Sequence, residues 1–159
     1  MGQPKNAFFL AHDSHDVAAE FQKCLFDLTA NAILHYTNEK PQFLSSVRQH
    51  VPDIIFMDTH IGGLSSTQLL TSLKCDSNLK NIPIVIYSTP KSSDELREYY
   101  SLGAERYFEQ PVNNSGLIFG LEIILYLFQK NQLIRPEFEQ FLISTNYQYF
   151  GFPQKTRTA

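Results

Sequence analysis

Four short apolar runs in this chain each end on residues that can bind an ion or carry a proton. Ala7-Phe8-Phe9-Leu10-Ala11 is followed by His12 and Asp13, and Ile54-Ile55-Phe56-Met57 by Asp58 with His60 two residues later. Ile84-Val85-Ile86-Tyr87 runs into Ser88 and Thr89, and Arg106-Tyr107-Phe108 is followed, after Glu109, by Gln110. A lone aspartate in such a place is most simply a helix cap or a turn residue. The set has more chemistry in it. Two carboxylates, a hydroxyl and an amide that converge on one polar pocket can hold a divalent cation through oxygen ligands and present one carboxylate as a nucleophile toward phosphorus.

Convergence requires that the runs be parallel strands whose ends meet, and the segments between them fit that requirement. Val17, Phe21, Leu25 and Leu28 recur at the spacing of an amphipathic helix, and Leu44, Val47 and Val51 do so behind Pro41. Ala32-Ile33-Leu34 with Tyr36 makes one more strand, between these two helices. The third helix carries Leu69, Leu70 and Leu73; the fourth starts at Ser92 or Ser93, has Asp94 and Glu95 in its first turn and ends at Gly103. A fifth runs from about Asn114 to Lys130 behind Pro111. The continuously apolar strands suit a parallel sheet covered on both faces. Five strands alternating with five helices, joined by right-handed crossovers, give an α/β doubly wound sheet, in which ligands bind beyond the carboxyl ends of the strands.

Composition narrows the functional classes. A chain of 159 residues with 43% hydrophobic and 18% charged residues predicts one globular domain with an ordinary core. Thirteen Lys plus Arg against sixteen Asp plus Glu, a formal charge of −3, offer no basic footprint for nucleic acid. Cys24 and Cys75 form neither a CxxC pair nor a disulfide framework, which fits a reducing, cytoplasmic setting. The apolar stretch near the N-terminus is too short for a signal peptide, and Leu117–Phe128, broken by Gly120 and Glu122, is too short to span a bilayer.

The motifs PDIIFMD ending at Asp58, IPIVIYST with Ser88, and GAERYFEQP with Tyr107 and Pro111 stand in the order and at the spacing of a known family. From about Asn6 to Lys130 the chain resembles the receiver domain of the response regulators of bacterial two-component systems. The resemblance implies a flavodoxin-like (βα)5 fold with five parallel strands in the order 2-1-3-4-5. It gives a receiver domain over residues 6–130 and leaves 131–159 as an aromatic-rich C-terminal extension, not an output domain. It implies Asp58 as phosphoacceptor and a magnesium site made by Asp13, Asp58 and the backbone carbonyl of His60. Ser88 then corresponds to the hydroxyl residue that swings toward the phosphoryl group, and Tyr107 to the aromatic whose rotation reports the switch.

The matches come with departures. His12 stands where these receivers carry the first of two acidic residues, and Gln110 replaces the lysine before the proline. The loop after Asp58 has Gly62 in place of a common proline and Ser66 in place of glycine. His12, with His15 or the His60 side chain, could favour a transition metal over magnesium, because imidazole suits a borderline ion. Lys91 is near enough in sequence to lend a charge, or is an ordinary surface lysine.

The expectation is a single-domain receiver in a phosphorelay, not an enzyme. It would be served by a histidine kinase or phosphotransfer protein and would signal to a downstream protein by contact. The alternative is a degenerate receiver that works as an interaction module without phosphorylation. A dehalogenase-type phosphatase fits less well, since Asp58-Thr59-His60 lacks the second acid of a DxD motif. A flavin site fits poorly too, because His12-Asp13-Ser14-His15-Asp16 is no phosphate loop.

The last helix is apolar round most of its circumference, so a second subunit or the tail should cover its outer side. The tail carries Phe138, Phe141, Tyr147, Tyr149, Phe150 and Phe152, and Arg135–Ser144 with Pro136 in its first turn reads as a short helix. The tail is therefore expected to pack on the domain or to join a homodimer contact.

Overall fold

A computed structural model describes residues 6–146. The elements run β1 (Asn6–Ala11), α1 (His15–Leu28), β2 (Ala32–Thr37), α2 (Lys40–His50), β3 (Ile54–Met57), a hairpin of β4 (His60–Ile61) and β5 (Leu64–Ser65), and α3 (Thr67–Cys75). They continue with β6 (Ile84–Ser88), α4 (Ser93–Ser101), β7 (Arg106–Glu109), α5 (Asn114–Gln129), a 3-10 turn at Phe138–Gln140 and β8 (Leu142–Ile143). The main sheet has six strands in the order β2-β1-β3-β6-β7-β8, and every pairing in it is parallel.

The expected fold is present, with one strand more in the main sheet and a small separate hairpin, β4-β5. The order 2-1-3-4-5 corresponds to β2-β1-β3-β6-β7, and the tail adds β8 outside β7. Helix starts follow the capping residues: Ser14 accepts from the Val17 amide, Ser92 from that of Glu95, and Asn113 from that of Gly116. Because side chains alternate along a strand, β1 and β3 fill both faces of the sheet. Phe9, Ala11, Ile55 and Met57 face α2, α3 and α4, while Phe8, Leu10, Ile54 and Phe56 face α1 and α5. All four residues of β3 are buried.

One expectation about the C-terminal part needs correcting. Arg135–Ser144 is not a helix: only Phe138–Gln140 makes a turn, and Leu142–Ile143 is strand. The physical reason is the open edge of β7, whose Tyr107 N–H donates to the Phe141 carbonyl at 3.0 Å. Nor does the described part of the tail cover the outer side of α5. It crosses to the β7 edge, and Phe119 (53% exposed) and Tyr126 (57% exposed) stay in solvent. The tail does pack on the domain, with Leu133, Phe141 and Ile143 buried. Tyr147, Tyr149, Phe150 and Phe152 lie outside the described residues.

Candidate functional site at the carboxyl ends of the strands

Asp58 sits immediately after the central strand β3, where its amide donates to the Ala11 carbonyl at 2.9 Å. Its carboxylate is engaged through one oxygen. Oδ1 accepts from the Thr59 amide at 2.7 Å and from the Ser88 hydroxyl at 2.5 Å. The Thr59 and Ser88 hydroxyls are themselves 3.0 Å apart, which closes a small polar ring beneath the carboxylate. Oδ2 faces His12 Nε2 at 3.4 Å, and the His12 side chain is buried.

The tautomer of His12 follows from its other nitrogen. The Ser14 amide donates to His12 Nδ1 at 3.1 Å, so Nδ1 accepts and the ring proton sits on Nε2, which is buried near Asp58 without a hydrogen-bond partner. A histidine in this position therefore puts an imidazole N–H beside Asp58, where a second carboxylate would put a metal ligand. The His12 carbonyl accepts from the Tyr36 hydroxyl at 2.8 Å, which fixes the loop from the other side.

Asp13 is directed elsewhere. Its carboxylate accepts from the Gly62 amide at 2.5 Å and the Gly63 amide at 3.4 Å. Those glycines form the turn of the β4-β5 hairpin, with φ of 61° and 73°. Two successive left-handed residues are what a tight two-residue hairpin requires, and glycine adopts them freely. The replacement of a common proline by Gly62 thus has a structural consequence that sequence reasoning missed: it creates an amide pair that takes up Asp13. The Gly-Gly pair beside Leu64 was the available signal.

His60 opens this hairpin and is exposed, with its Nδ1 3.3 Å from the Thr59 hydroxyl. Gln110 is tied by its backbone, N–H to the Ser88 carbonyl at 2.7 Å, and lines a cleft of about 230 Å³ with Asp16, Tyr87 and Asn113. Lys91 lies on a separate cleft of about 250 Å³ with Thr59, His60 and Glu95. Tyr107 is turned in and fully buried, and its hydroxyl donates to the Thr89 carbonyl at 2.6 Å. Burial drives the Tyr107 phenol well above its ordinary pKa, so it remains a neutral donor.

Among the described residues no group of three or more His, Cys, Asp or Glu side chains could hold a metal ion. The magnesium set that the resemblance implies is of another kind, two carboxylates and a main-chain carbonyl. Asp13 accepts from two amides and Asp58 Oδ1 from two donors, while Asp58 Oδ2 lies 3.4 Å from His12 Nε2.

Residues 8–121 match the family model described as the response regulator receiver domain. Among curated proteins, the polar-differentiation response regulator DivK of Brucella ovis is 27% identical over 70 residues, 44% of this chain and 57% of that protein. The probable methanogenesis regulatory protein FilR2 of Methanothrix harundinacea is 27% identical over 67 residues, 42% of this chain and 43% of that protein. The chain thus spans about half the length of the curated relatives it matches. Among solved structures, the phosphorylated cyanobacterial phytochrome response regulator RcpA superposes with a TM-score of 0.72 at 22% identity, over 80% of this chain and 96% of that one. The chemotaxis response regulator CheY4 of Vibrio cholerae gives 0.67 at 18% identity, over 76% and 99%. At these identities the structural likeness is one of fold.

Proposed function

The chain belongs to the response regulator receiver domain family, and from that premise we propose that it is a signalling module acting by protein-protein contact, with its switch set without a phosphoryl group on Asp58. One observation carries this reading. The Asp58 carboxylate is held by the Thr59 amide and the Ser88 hydroxyl, with the His12 ring buried beside it, while Asp13 is drawn off to Gly62 and Gly63. Phosphoryl transfer to a carboxylate gathers negative charge beside an existing anion and calls for a cation and preorganised donors. Here Ser88 and Thr59 supply donors, but Gln110 stands in place of a lysine and His12 in place of one carboxylate. Ser88 and Tyr107 already lie inward, the positions that the family resemblance associates with the switched state. The contact surface on this reading is the exposed side of α5, where Phe119 and Tyr126 stand out, and sedimentation tests whether its partner is a second copy.

A second reading has an observation of its own. The Asp58 side chain is 15% exposed and its carboxylate touches the Ser88 hydroxyl, an arrangement that a phosphoacceptor would also need. On that reading Asp58 accepts a phosphoryl group from a histidine kinase or phosphotransfer protein, Asp13 and the His60 carbonyl turn to bind magnesium with it, and Gln110 takes the place of the lysine. Titration with Mg²⁺, Mn²⁺ and Zn²⁺ while melting temperature is followed separates the two. A ligand at a hundred times its dissociation constant adds about 2.7 kcal/mol to stability. A flat response at millimolar ion supports the contact module. A saturating rise that Asp58→Asn abolishes supports the second reading.

A further inference from the structure

The residues after α5 do more than end the chain. From Asn131 to Asn146 they follow the free edge of β7 and the flank of α4, and they are held at three levels. The backbone level is β8, in register Tyr107 to Leu142 and Phe108 to Ile143, with the Tyr107 amide on the Phe141 carbonyl at 3.0 Å. The second is Arg106. One guanidinium, in a residue 7% exposed, donates to the Gln140 carbonyl at 2.7 Å and the Gln132 carbonyl at 2.9 Å, so it grips the segment at two points eight residues apart. The third is aromatic. Phe141, fully buried, stacks edge-on to Tyr100 at 5.3 Å, and Phe138 does so at 5.4 Å. Arg97 lies over the Phe138 ring and Arg135 over Tyr100, each at 4.1 Å, while the Tyr100 hydroxyl donates to the Pro136 carbonyl. At the far end, Asn146 accepts from the Val112 amide at 3.1 Å and donates to Glu109 at 3.0 Å, beside Gln110.

Tyr107 lies between this segment and the Asp58 site. Its backbone pairs with Phe141, its ring packs against the Phe141 ring at 6.5 Å, and its hydroxyl is bonded to Thr89, next to Ser88. Any rotation that takes the ring off Thr89 must disturb the Phe141 contact as well. We propose that residues 131–146 are a ligand in cis for the β7 edge and α4 flank, which clamps Tyr107 inward and closes this surface to an extended partner strand. A strand laid parallel along an open edge, with aromatic anchors in flanking pockets, is a general mode of peptide recognition. Here the peptide is the chain's own. The inference uses the switch role that family membership lends Tyr107, yet it stands on contacts that do not depend on the chemistry of Asp58.

Amide hydrogen exchange on the full chain tests it by comparing wild type with Phe141→Ala. The Tyr107 and Gln110 amides report the clamped strand and its far end, and the Ile55 amide, bonded to the Pro83 carbonyl at 3.0 Å, reports the central sheet. Phe141→Ala is expected to lower protection at Tyr107 and Gln110 by about tenfold relative to Ile55. Excess synthetic peptide of residues 136–144 is expected to restore it. Equal loss at all three amides, or no recovery with the peptide, would mean that the segment is only core packing and would overturn the proposal. Should Phe141→Ala fail to fold, Phe138→Ala, at a half-exposed position, carries the same comparison. An intact-mass assay for phosphorylation at Asp58 is silent on the clamp, so the two accounts fail separately.

Discussion

The Ser88 hydroxyl lies 2.5 Å from Asp58 Oδ1, joining the ends of β3 and β6 through a single side-chain hydrogen bond. It is also the first step of a path that runs through Thr89 to Tyr107. Ser88 is 3% exposed, and its loss removes one of the two close donors to a charged oxygen, leaving the Thr59 amide. Ser88→Ala is expected to cost about 1–3 kcal/mol. Urea denaturation measures it, and a change below about 0.5 kcal/mol would mean that the bond contributes nothing to the fold.

His35 and His50 stack with ring centroids 3.7 Å apart at the edge of the sheet. Burial, and then the charge of His50, lower the pKa of His35 below 6.5. The unfolded chain therefore binds the His35 proton more tightly than the folded one. The stabilising effect is complete above about pH 6.5 and is lost as pH falls toward the lowered folded value. Melting temperature should accordingly drop across that window, and His35→Gln should flatten the slope.

Glu105 stands just before β7 with its carboxylate on Lys74 Nζ at 2.7 Å and on the Ile84 amide at 2.6 Å. Burial pushes this carboxyl up, opposed by Lys74 and the amide. Lys74→Met leaves the charge without its cation, an error that costs about 3 kcal/mol when a buried pair is broken. Replacing both, with Glu105→Gln added, should recover much of the loss, and a double-mutant cycle in denaturant reads the coupling directly.

Gly120 lies under the Phe108 ring, which a Cβ at that position would strike. Gly120→Ala gains about 1 kcal/mol in helix propensity but overpacks the core by about 1–3 kcal/mol. A net loss is expected. Val51 is the opposite case, a β-branched residue at φ 40° and 59% exposed at the end of α2. Val51→Gly should stabilise by about 1 kcal/mol, because glycine accepts the left-handed cap without strain.

What the sequence disclosed, and what it hid, divides by range. Local signals located the helices: the apolar spacing of Val17, Phe21, Leu25 and Leu28 marked α1, Ser92 caps α4 as its side chain suggests, and the fully apolar β3 declared a central strand. Strand ends then placed Asp58, Ser88 and Thr89 together. The direction of Asp13 was not legible, because it depends on two amides some fifty residues away that exist only once Gly62 and Gly63 turn. The same holds for β8. Phe141-Leu142-Ile143 is as apolar as a helix face, and only the unpaired edge of β7 decides that it is a strand. The grip of Arg106 on Gln132 and Gln140 has no signature in the chain at all.

Intact-mass measurement after incubation with acetyl phosphate and Mg²⁺ or Mn²⁺ tests the central claim most directly, with Asp58→Asn run alongside. If the Asp58 site is set as Thr59 and Ser88 hold it, both proteins keep their original mass at every time point. The gain of one phosphoryl group by the wild type, absent from Asp58→Asn, would contradict the account and establish Asp58 as a phosphoacceptor.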